Sequence, residues 1–246
     1  IKIKMKKIIL IIGYGSIGKR HAKILKKFNN VIKIYVYTKQ KSEGLSKLQN
    51  LNQIKKINPD YIIISSKTSE HYKHLNFIEK KLSKKTILVE KPLFNNYKKL
   101  KIKNNKVIVG YNLRFHPIIH FLKKYIERKK IYSVNISCES YLPKWRKNIV
   151  YSNSNSAKKK YGGGVLLELS HELDYLQWIF SNVKKINYAI VKKISNLKID
   201  TEDFAVIGGR TKITNFHVSL NFFSLHAQRK ILVNGNNFSL EADLIK

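Results

Sequence analysis

The sequence predicts an α/β chain: an N-terminal doubly wound parallel sheet, then an α+β domain with a mostly antiparallel open sheet. Three observations carry this reading. Five short apolar runs in the first half alternate with helical patterns, as parallel strands covered on both faces do. The first of these runs opens directly onto a Gly-x-Gly-x-x-Gly turn. Beyond Ile186 the chain alternates and turns repeatedly through Leu240, the habit of antiparallel strands.

Lys6 to Ile12 is the first apolar run, and Gly13-Tyr14-Gly15-Ser16-Ile17-Gly18 follows it. Ile17, His21, Ile24, Leu25 and Phe28 then recur at helical spacing. A glycine motif set between a strand and a helix is that of a dinucleotide-binding Rossmann unit. Gly13 permits the tight turn. Gly15 lets the backbone approach a pyrophosphate seated on the helix N-terminus, and Gly18 lets the helix pack closely on the strand. Gly13, Tyr14, Gly15, Ser16, Ile17 and Gly18 are therefore cofactor-binding candidates.

A second strand runs from Val31 to Tyr37. In an NAD binder its end carries an acid for the ribose hydroxyls. Here Thr38, Lys39, Gln40, Lys41 and Ser42 come before the first acid, Glu43. A hydroxyl and lysines suit a 2′-phosphate, so of NAD and NADP, Thr38 and Lys39 favour NADP. The third strand is Tyr61–Ser65, followed by a loop through His71 and a helix with Leu75, Ile78 and Leu82 on one face. The fourth strand, Thr86–Val89, ends in Glu90-Lys91-Pro92, and the fifth is Val107–Gly110. Ligands of doubly wound sheets bind at the carboxyl ends of the strands. Gly13, Ser65, Ser66, Glu90, Lys91, Tyr111 and Asn112 lie at those ends, and His71 closes the loop after the third; Ser65, Ser66, His71, Glu90 and Lys91 join the cofactor-binding candidates. The domain boundaries read as 1–113 and 114–246.

In the second half, Pro117 suits a first helical position, and Ile118, Phe121, Leu122, Tyr125 and Ile126 make a helical stripe. Ile131–Tyr141 alternates as a strand. Leu142 to Tyr161, with Trp145-Arg146 and a Ser/Asn-rich run, reads as a long loop of the kind that often carries function. After Gly162-Gly163-Gly164, one helix is expected from Val165 to Phe180. Leu166, Leu169, Leu173, Leu176 and Phe180 form its apolar stripe, and Glu168, His171 and Tyr175 fall on another face. Asp174 is placed to orient or charge-tune the His171 imidazole. An Asn234-Gly235 turn is expected between strands Ile231–Val233 and Phe238–Leu240.

The chain has 246 residues, 43% of them hydrophobic, enough for a sizeable core and unlike a disordered chain. Its net charge is +34, but of 49 basic residues only six are arginine. Lysines are spread along the whole chain, with no single basic block. Specific nucleic-acid binding relies on arginine forks, so a solvated lysine surface is the better reading. The field would still draw in an anionic substrate. Cys138 is the sole cysteine, which excludes an intrachain disulfide and suits a reducing, cytoplasmic setting. No apolar run is long enough to span a bilayer, so no membrane partner is expected. No His/Cys/Asp cluster has the spacing of metal ligands, so no metal is expected. The first residue is Ile1 and the only methionine is Met5, so the chain reads as a fragment or as starting naturally at Met5.

With these motifs in order, nearly the whole chain resembles the Gfo/Idh/MocA family of NAD(P)-dependent oxidoreductases. The resemblance rests on Gly13–Gly18, Glu90-Lys91-Pro92, Tyr111-Asn112-Leu113-Arg114-Phe115-His116-Pro117 and the Gly162–Asp174 stretch. It implies hydride transfer at a carbinol carbon of a sugar, cyclitol or nucleotide sugar. Lys91 is then the lysine that contacts the reacting oxygen and the cofactor, and His171 the acid–base. Glu168, the third catalytic candidate, stands near the family's aspartate, but three residues before the histidine instead of four. Asn112, Arg114, Trp145, Arg146, His171 and Asp174 are the substrate-side candidates. The Trp145-Arg146 loop is similar to that of members acting on surface sugars. Family members commonly pair through the open face of the second sheet, which implies a homo-oligomer. They also continue past the point where this chain stops, so the second domain is expected to be incomplete. Two rival readings are a catalytically altered cofactor-binding paralogue, motivated by Glu168, and a nucleic-acid-binding protein, motivated by charge alone.

Overall fold

The computed structural model describes residues 6–245. Met5, the alternative start, lies outside them. The chain divides into two compact units, the first ending at Gly110 and the second beginning at Tyr111.

The first unit holds β1 (Lys7–Ile12), β2 (Val31–Tyr37), β3 (Ser46–Lys47), β4 (Tyr61–Ile64), β5 (Thr86–Val89) and β6 (Lys106–Val109). They form one sheet in the order β3-β2-β1-β4-β5-β6, with every neighbouring pair parallel. The order reverses between β1 and β4, the switch point at which doubly wound sheets bind ligands. Successive strand residues point to opposite faces, and here both faces are covered. Leu10, Ile12, Ile62 and Ile64 pack with Leu75 and Ile78 on one side. Ile9, Ile11, Ile63 and Val36 pack with Ala22 on the other. That is why the runs are continuously apolar. Each fully buried aliphatic side chain contributes roughly 1.5–3 kcal/mol. The helices are α1 (Ser16–Leu25), α2 (Ile54–Ile57) and α3 (Thr68–Lys81). Helix α1 buries Gly18 and Ala22, while Ile17, Ile24 and Phe28 are exposed and Phe28 lies past its end.

The second unit holds α4 (Pro117–Ile126), β7 (Ile131–Tyr141), α5 (Val165–Glu168), α6 (His171–Phe180), β8 (Val183–Lys192), β9 (Phe204–Thr211), β10 (Asn215–Asn221), β11 (Phe223–Gly235) and β12 (Phe238–Asp243). The sheet order is β12-β11-β7-β10-β9-β8. Only the β7–β10 pair is parallel; the other four pairs are antiparallel. Val134, Ile136, Val218 and Leu220 point to one face and share a core with Tyr175, Leu176 and Phe180. On the other face Tyr188 reaches His217, its hydroxyl 2.8 Å from Nδ1, and Ile186, Tyr188 and Ile190 are exposed.

Two expectations are corrected. The single helix Val165–Phe180 is two helices, broken at Leu169 and Ser170. The break resets the helical phase, so Tyr175 does not share a polar face with Glu168 and His171; it is fully buried in the core. The hairpin turn is Asn236-Asn237, with Asn237 at φ +61°, not Asn234-Gly235. Gly235 instead pairs with Phe238 inside the ladder. A Cβ at Gly235 would lie 2.1 Å from the Phe238 ring, so close ring contact is what calls for glycine there. The 142–161 segment is a chain of short 3-10 turns, at Leu142–Lys144, Tyr151–Asn153, Asn155–Ala157 and Lys159–Tyr161.

Candidate functional site

In the first unit the glycine turn leaves β1 at the switch point. Gly13 has φ +89°, and a Cβ there would lie 2.4 Å from the Ser66 backbone nitrogen. A Cβ at Gly18 would meet the Gly13 carbonyl at 2.3 Å. Gly15 is different: a Cβ there would meet nothing within 4 Å. Open space thus lies over Gly15, at the N-terminus of α1, whose first turn no side chain caps. Unpaired amides and the helix dipole make such a place fit for a pyrophosphate. Ser16 and Ile17 are exposed there, while the Tyr14 side chain is buried in the sheet core. Tyr14 can therefore present only its backbone to a cofactor. Ser65 is buried and its hydroxyl donates to the Gly13 carbonyl at 2.8 Å, bracing the turn. Ser66 lies 2.9 Å from His74 Nδ1. At the end of β2 the Thr38 hydroxyl accepts from the Gln40 amide at 3.1 Å, and Lys39 is exposed. Glu43 pairs with Lys19 of α1.

At the end of β5, Glu90 Oε1 lies 2.6 Å from His21 Nε2. Lys91 follows, half-buried, at a cis Lys91–Pro92 peptide. His71 is only 1% exposed. Its Nδ1 lies 3.1 Å from the Pro92 carbonyl oxygen and its Nε2 3.1 Å from that of Ser66. His71, a cofactor-binding candidate, is thus buried against backbone. Both ring nitrogens face backbone carbonyls, and the single N–H of the neutral ring donates to one of them. Burial pushes its pKa below the ordinary histidine value.

In the second unit, His171 is the first residue of α6 and half-buried. The Tyr111 ring meets its imidazole edge-on, with centroids 5.5 Å apart. Burial raises the Tyr111 phenol above its usual range. Glu168 ends α5 and accepts a 2.8 Å hydrogen bond from the Ser156 hydroxyl. Arg114 grips Asp174 with two bonds of 2.8 and 2.6 Å and lies over the Trp178 ring. That bidentate pair engages two of the groups expected on the substrate side, and ties the segment before α4 to the first turn of α6. Glu172, next to His171, is fully buried, 2.9 Å from Arg229. Burial pushes its carboxyl upward and lifts the neighbouring Cys138 thiol to about 12. Trp145 donates its indole N–H to Ser140 at 2.9 Å and packs edge-on against Phe222. Arg146 and Asn112 are exposed.

Sequence reasoning left His21 and Ser156 out of the site. Their signals are weak: His21 sits inside the helical stripe, and Ser156 lies in a run of serines and asparagines. Among the described residues, no group of three His, Cys, Asp or Glu is disposed to hold a metal, and no helix is long and apolar enough to cross a membrane.

A parallel sheet of this order, with a glycine turn at its reversal, has the architecture of the dinucleotide-binding Rossmann fold. The model of the oxidoreductase family with an NAD-binding Rossmann fold, Gfo/Idh/MocA, matches residues 7–109. Those residues are similar to the NAD-binding domain of that oxidoreductase family, and the match spans less than half of the chain. The fold of the whole chain is similar to that of the WlbA dehydrogenase from Bordetella pertussis, solved with NADH and UDP-GlcNAcA. Identity is 16%, the TM-score is 0.79, and the match covers 96% of this chain and 77% of that one. It is also similar to myo-inositol 2-dehydrogenase from Lactobacillus plantarum, at 18% identity, TM-score 0.80, and 96% and 76% coverage. No curated protein matches by sequence.

Proposed function

We propose that the chain transfers a hydride between a nicotinamide cofactor and a carbinol carbon of a sugar, cyclitol or nucleotide sugar. The observation that carries the reading is the cradle at Gly13–Gly18, with clear space over Gly15 and an uncapped helix N-terminus beneath it. The amides of Ser16, Ile17 and Gly18 would hold the pyrophosphate. Thr38 and Lys39 favour a 2′-phosphate, and Glu43 does not oppose one because Lys19 engages it. NADP is thus the preferred cofactor, with NAD the alternative. When bound, the nicotinamide supplies the hydride acceptor or donor.

Loss of hydride from a C–OH group requires loss of the hydroxyl proton. His171 takes that proton, since imidazole titrates near neutral pH. The Lys91 ammonium stabilises negative charge developing on the reacting oxygen. Glu168, held by Ser156, and Asp174, held by Arg114, act by fixing the helices around His171. Trp145, Arg146 and Asn112 serve the substrate side. The net charge of +34 would steer an anionic substrate such as a nucleotide sugar, and surface-sugar synthesis is the setting we favour. The WlbA structure with UDP-GlcNAcA supports this direction. The exposed Ile186, Tyr188 and Ile190 of β8 support pairing of two copies through the second sheet. The single buried Cys138 suits a reducing compartment such as the cytoplasm.

The test is an oxidation screen of free and nucleotide-linked sugars with NAD and NADP. Wild type is expected to turn over at least one of them. Lys91→Ala and His171→Ala are each expected to lose about 100-fold or more in kcat. Turnover unchanged in both variants would overturn the assignment.

A further inference from the structure

We propose that Glu172 is a positioning residue: its buried pair with Arg229 holds the first turn of α6 at the rotation that aims His171. The inference rests on the reading of His171 as the acid–base and adds a residue to it.

Glu172 is fully buried, the second residue of α6 and the neighbour of His171. A carboxylate is almost never sealed in a core without a partner. Its Oε1 lies 2.9 Å from Arg229 Nε of β11 and 3.5 Å from the Tyr175 hydroxyl. Cys138 of β7 also faces it, but burial pushes that thiol up to about 12 and raises the Tyr175 phenol well above its usual range. Both stay neutral near pH 7, so Arg229 is the cation that answers the carboxylate. The answer is incomplete. Among the described residues, Glu172 Oε2 and Arg229 Nε have no hydrogen-bond partner, so the 2.9 Å contact is ionic attraction without an aligned hydrogen bond. The lost hydration of such a pair can exceed the attraction gained, and apolar residues of similar size often serve stability as well or better. Stability alone therefore gives no reason for the pair at this place.

What the pair supplies is direction. At about 100° per residue, Glu172 projects about 100° to one side of His171 and Asp174 about 60° to the other. Arg229 holds Glu172 to the sheet, and Arg114 holds Asp174 to the turn before α4. Leu176 and Phe180 anchor the helix by burial alone, which is non-directional and tolerates rotation. Two charged pairs flanking His171 do not. Tyr111 lies outside α6, and its ring meets the imidazole edge-on with centroids 5.5 Å apart, so it serves as a ruler for where His171 points.

The test is the double variant Glu172→Leu/Arg229→Met of the full chain, beside Arg229→Met and Arg229→Lys. The double variant removes both charges and should melt at or above the wild-type temperature, and above Arg229→Met. Its kcat, on the sugar that wild type turns over fastest, should nevertheless fall about tenfold or more, since a misplacement of about 1 Å can cost 100-fold. Sugar KM and cofactor Kd should each move less than about threefold, because no group that contacts either is removed. Arg229→Lys keeps a cation against Glu172 and should lose at most about threefold in kcat. NMR with labelled tyrosine and histidine reads the geometry without turnover: the Tyr111–His171 ring cross-peak should be present in wild type and Arg229→Lys and weakened in the double variant. A folded double variant with wild-type kcat, an unchanged cross-peak, a loss in Arg229→Lys as large as in the double variant, or a double variant that does not fold would each overturn the inference. If wild type oxidises no sugar, the acid–base reading falls, and the cross-peak alone decides whether Glu172 positions His171.

Discussion

His21 Nε2 lies 2.6 Å from Glu90 Oε1, which joins the helix behind the glycine turn to the residue before Lys91. Both side chains are largely shielded from solvent, so the bond fixes the end of β5 against α1. His21→Ala is expected to lower kcat about tenfold, ~1.4 kcal/mol, while the cofactor Kd moves less than threefold. Glu90→Gln keeps an acceptor and should lose less. Steady-state kinetics beside a cofactor titration reads both effects, and an unchanged kcat in His21→Ala would remove the positioning role.

His71 gives the fold a pH dependence. Burial lowers its folded pKa below the ordinary value of 6.5, and the same holds for His74. The unfolded chain therefore binds the proton first. Stability is full above pH 6.5 and declines as pH falls from there toward the folded pKa. His71→Gln should flatten that decline while costing about 1–3 kcal/mol near neutral pH, because the one carbonyl, of Pro92 or Ser66, that accepts the neutral ring's single N–H loses that partner. Urea unfolding between pH 5 and 8 measures both; an equally steep acid decline in the variant would contradict the account.

Arg229 compensates a carboxylate that is otherwise sealed in the core. Removing it as Arg229→Met leaves Glu172 charged and buried, at a cost of about 3–5 kcal/mol near pH 7. The Glu172 folded pKa is raised by burial, so the folded state binds the proton more tightly than the unfolded state. In the variant, stability should therefore rise as pH falls from 7.5 toward 5, opposite in sign to the His71 effect. Denaturation midpoints at the two pH values decide it, and a variant no more stable at pH 5 would refute the buried-charge explanation.

The Arg114–Asp174 pair makes a lysine replacement costly. Lysine cannot reproduce the two parallel bonds, and Arg114 is about 43% exposed, which moderates the loss through solvent screening. Arg114→Lys should cost about 1 kcal/mol of stability and raise the sugar KM more than it changes the cofactor Kd. Thermal unfolding with sugar kinetics checks this; identical behaviour to wild type would mean that the pair does not organise α6.

The parallel sheet was legible because both its faces are covered: Ile9 to Ile12 and Ile62 to Ile64 must all be apolar, and such runs admit few readings. The two-residue β3 lacks any apolar run to announce it. The break at Leu169–Ser170 escaped detection because Val165 to Phe180 keeps an unbroken helical pattern. The Glu202 carbonyl accepts from the Val165 amide and the Glu202 carboxylate occupies the space beside Gly164, which fixes the start of α5. Asn234-Gly235 and Asn236-Asn237 are both good turn formers, and only the pairing of Val233 with Leu240 selects the second. At the site, the glycine cradle could be read from spacing. The Arg114–Asp174 and His21–Glu90 pairs could not, since 60 and 69 residues separate their members.

The central claim is that Gly13–Gly18 holds a nicotinamide dinucleotide, and fluorescence titration with NADH and NADPH tests it on wild type and Gly15→Val. A side chain at Gly15 meets no protein atom, so the variant should unfold at the wild-type temperature. It should nevertheless bind cofactor at least about 100-fold more weakly, because the added methyls fill the space that the pyrophosphate needs. Wild type is expected to bind NADPH more tightly than NADH. No binding of either cofactor by wild type, or equal binding by Gly15→Val, would contradict the account.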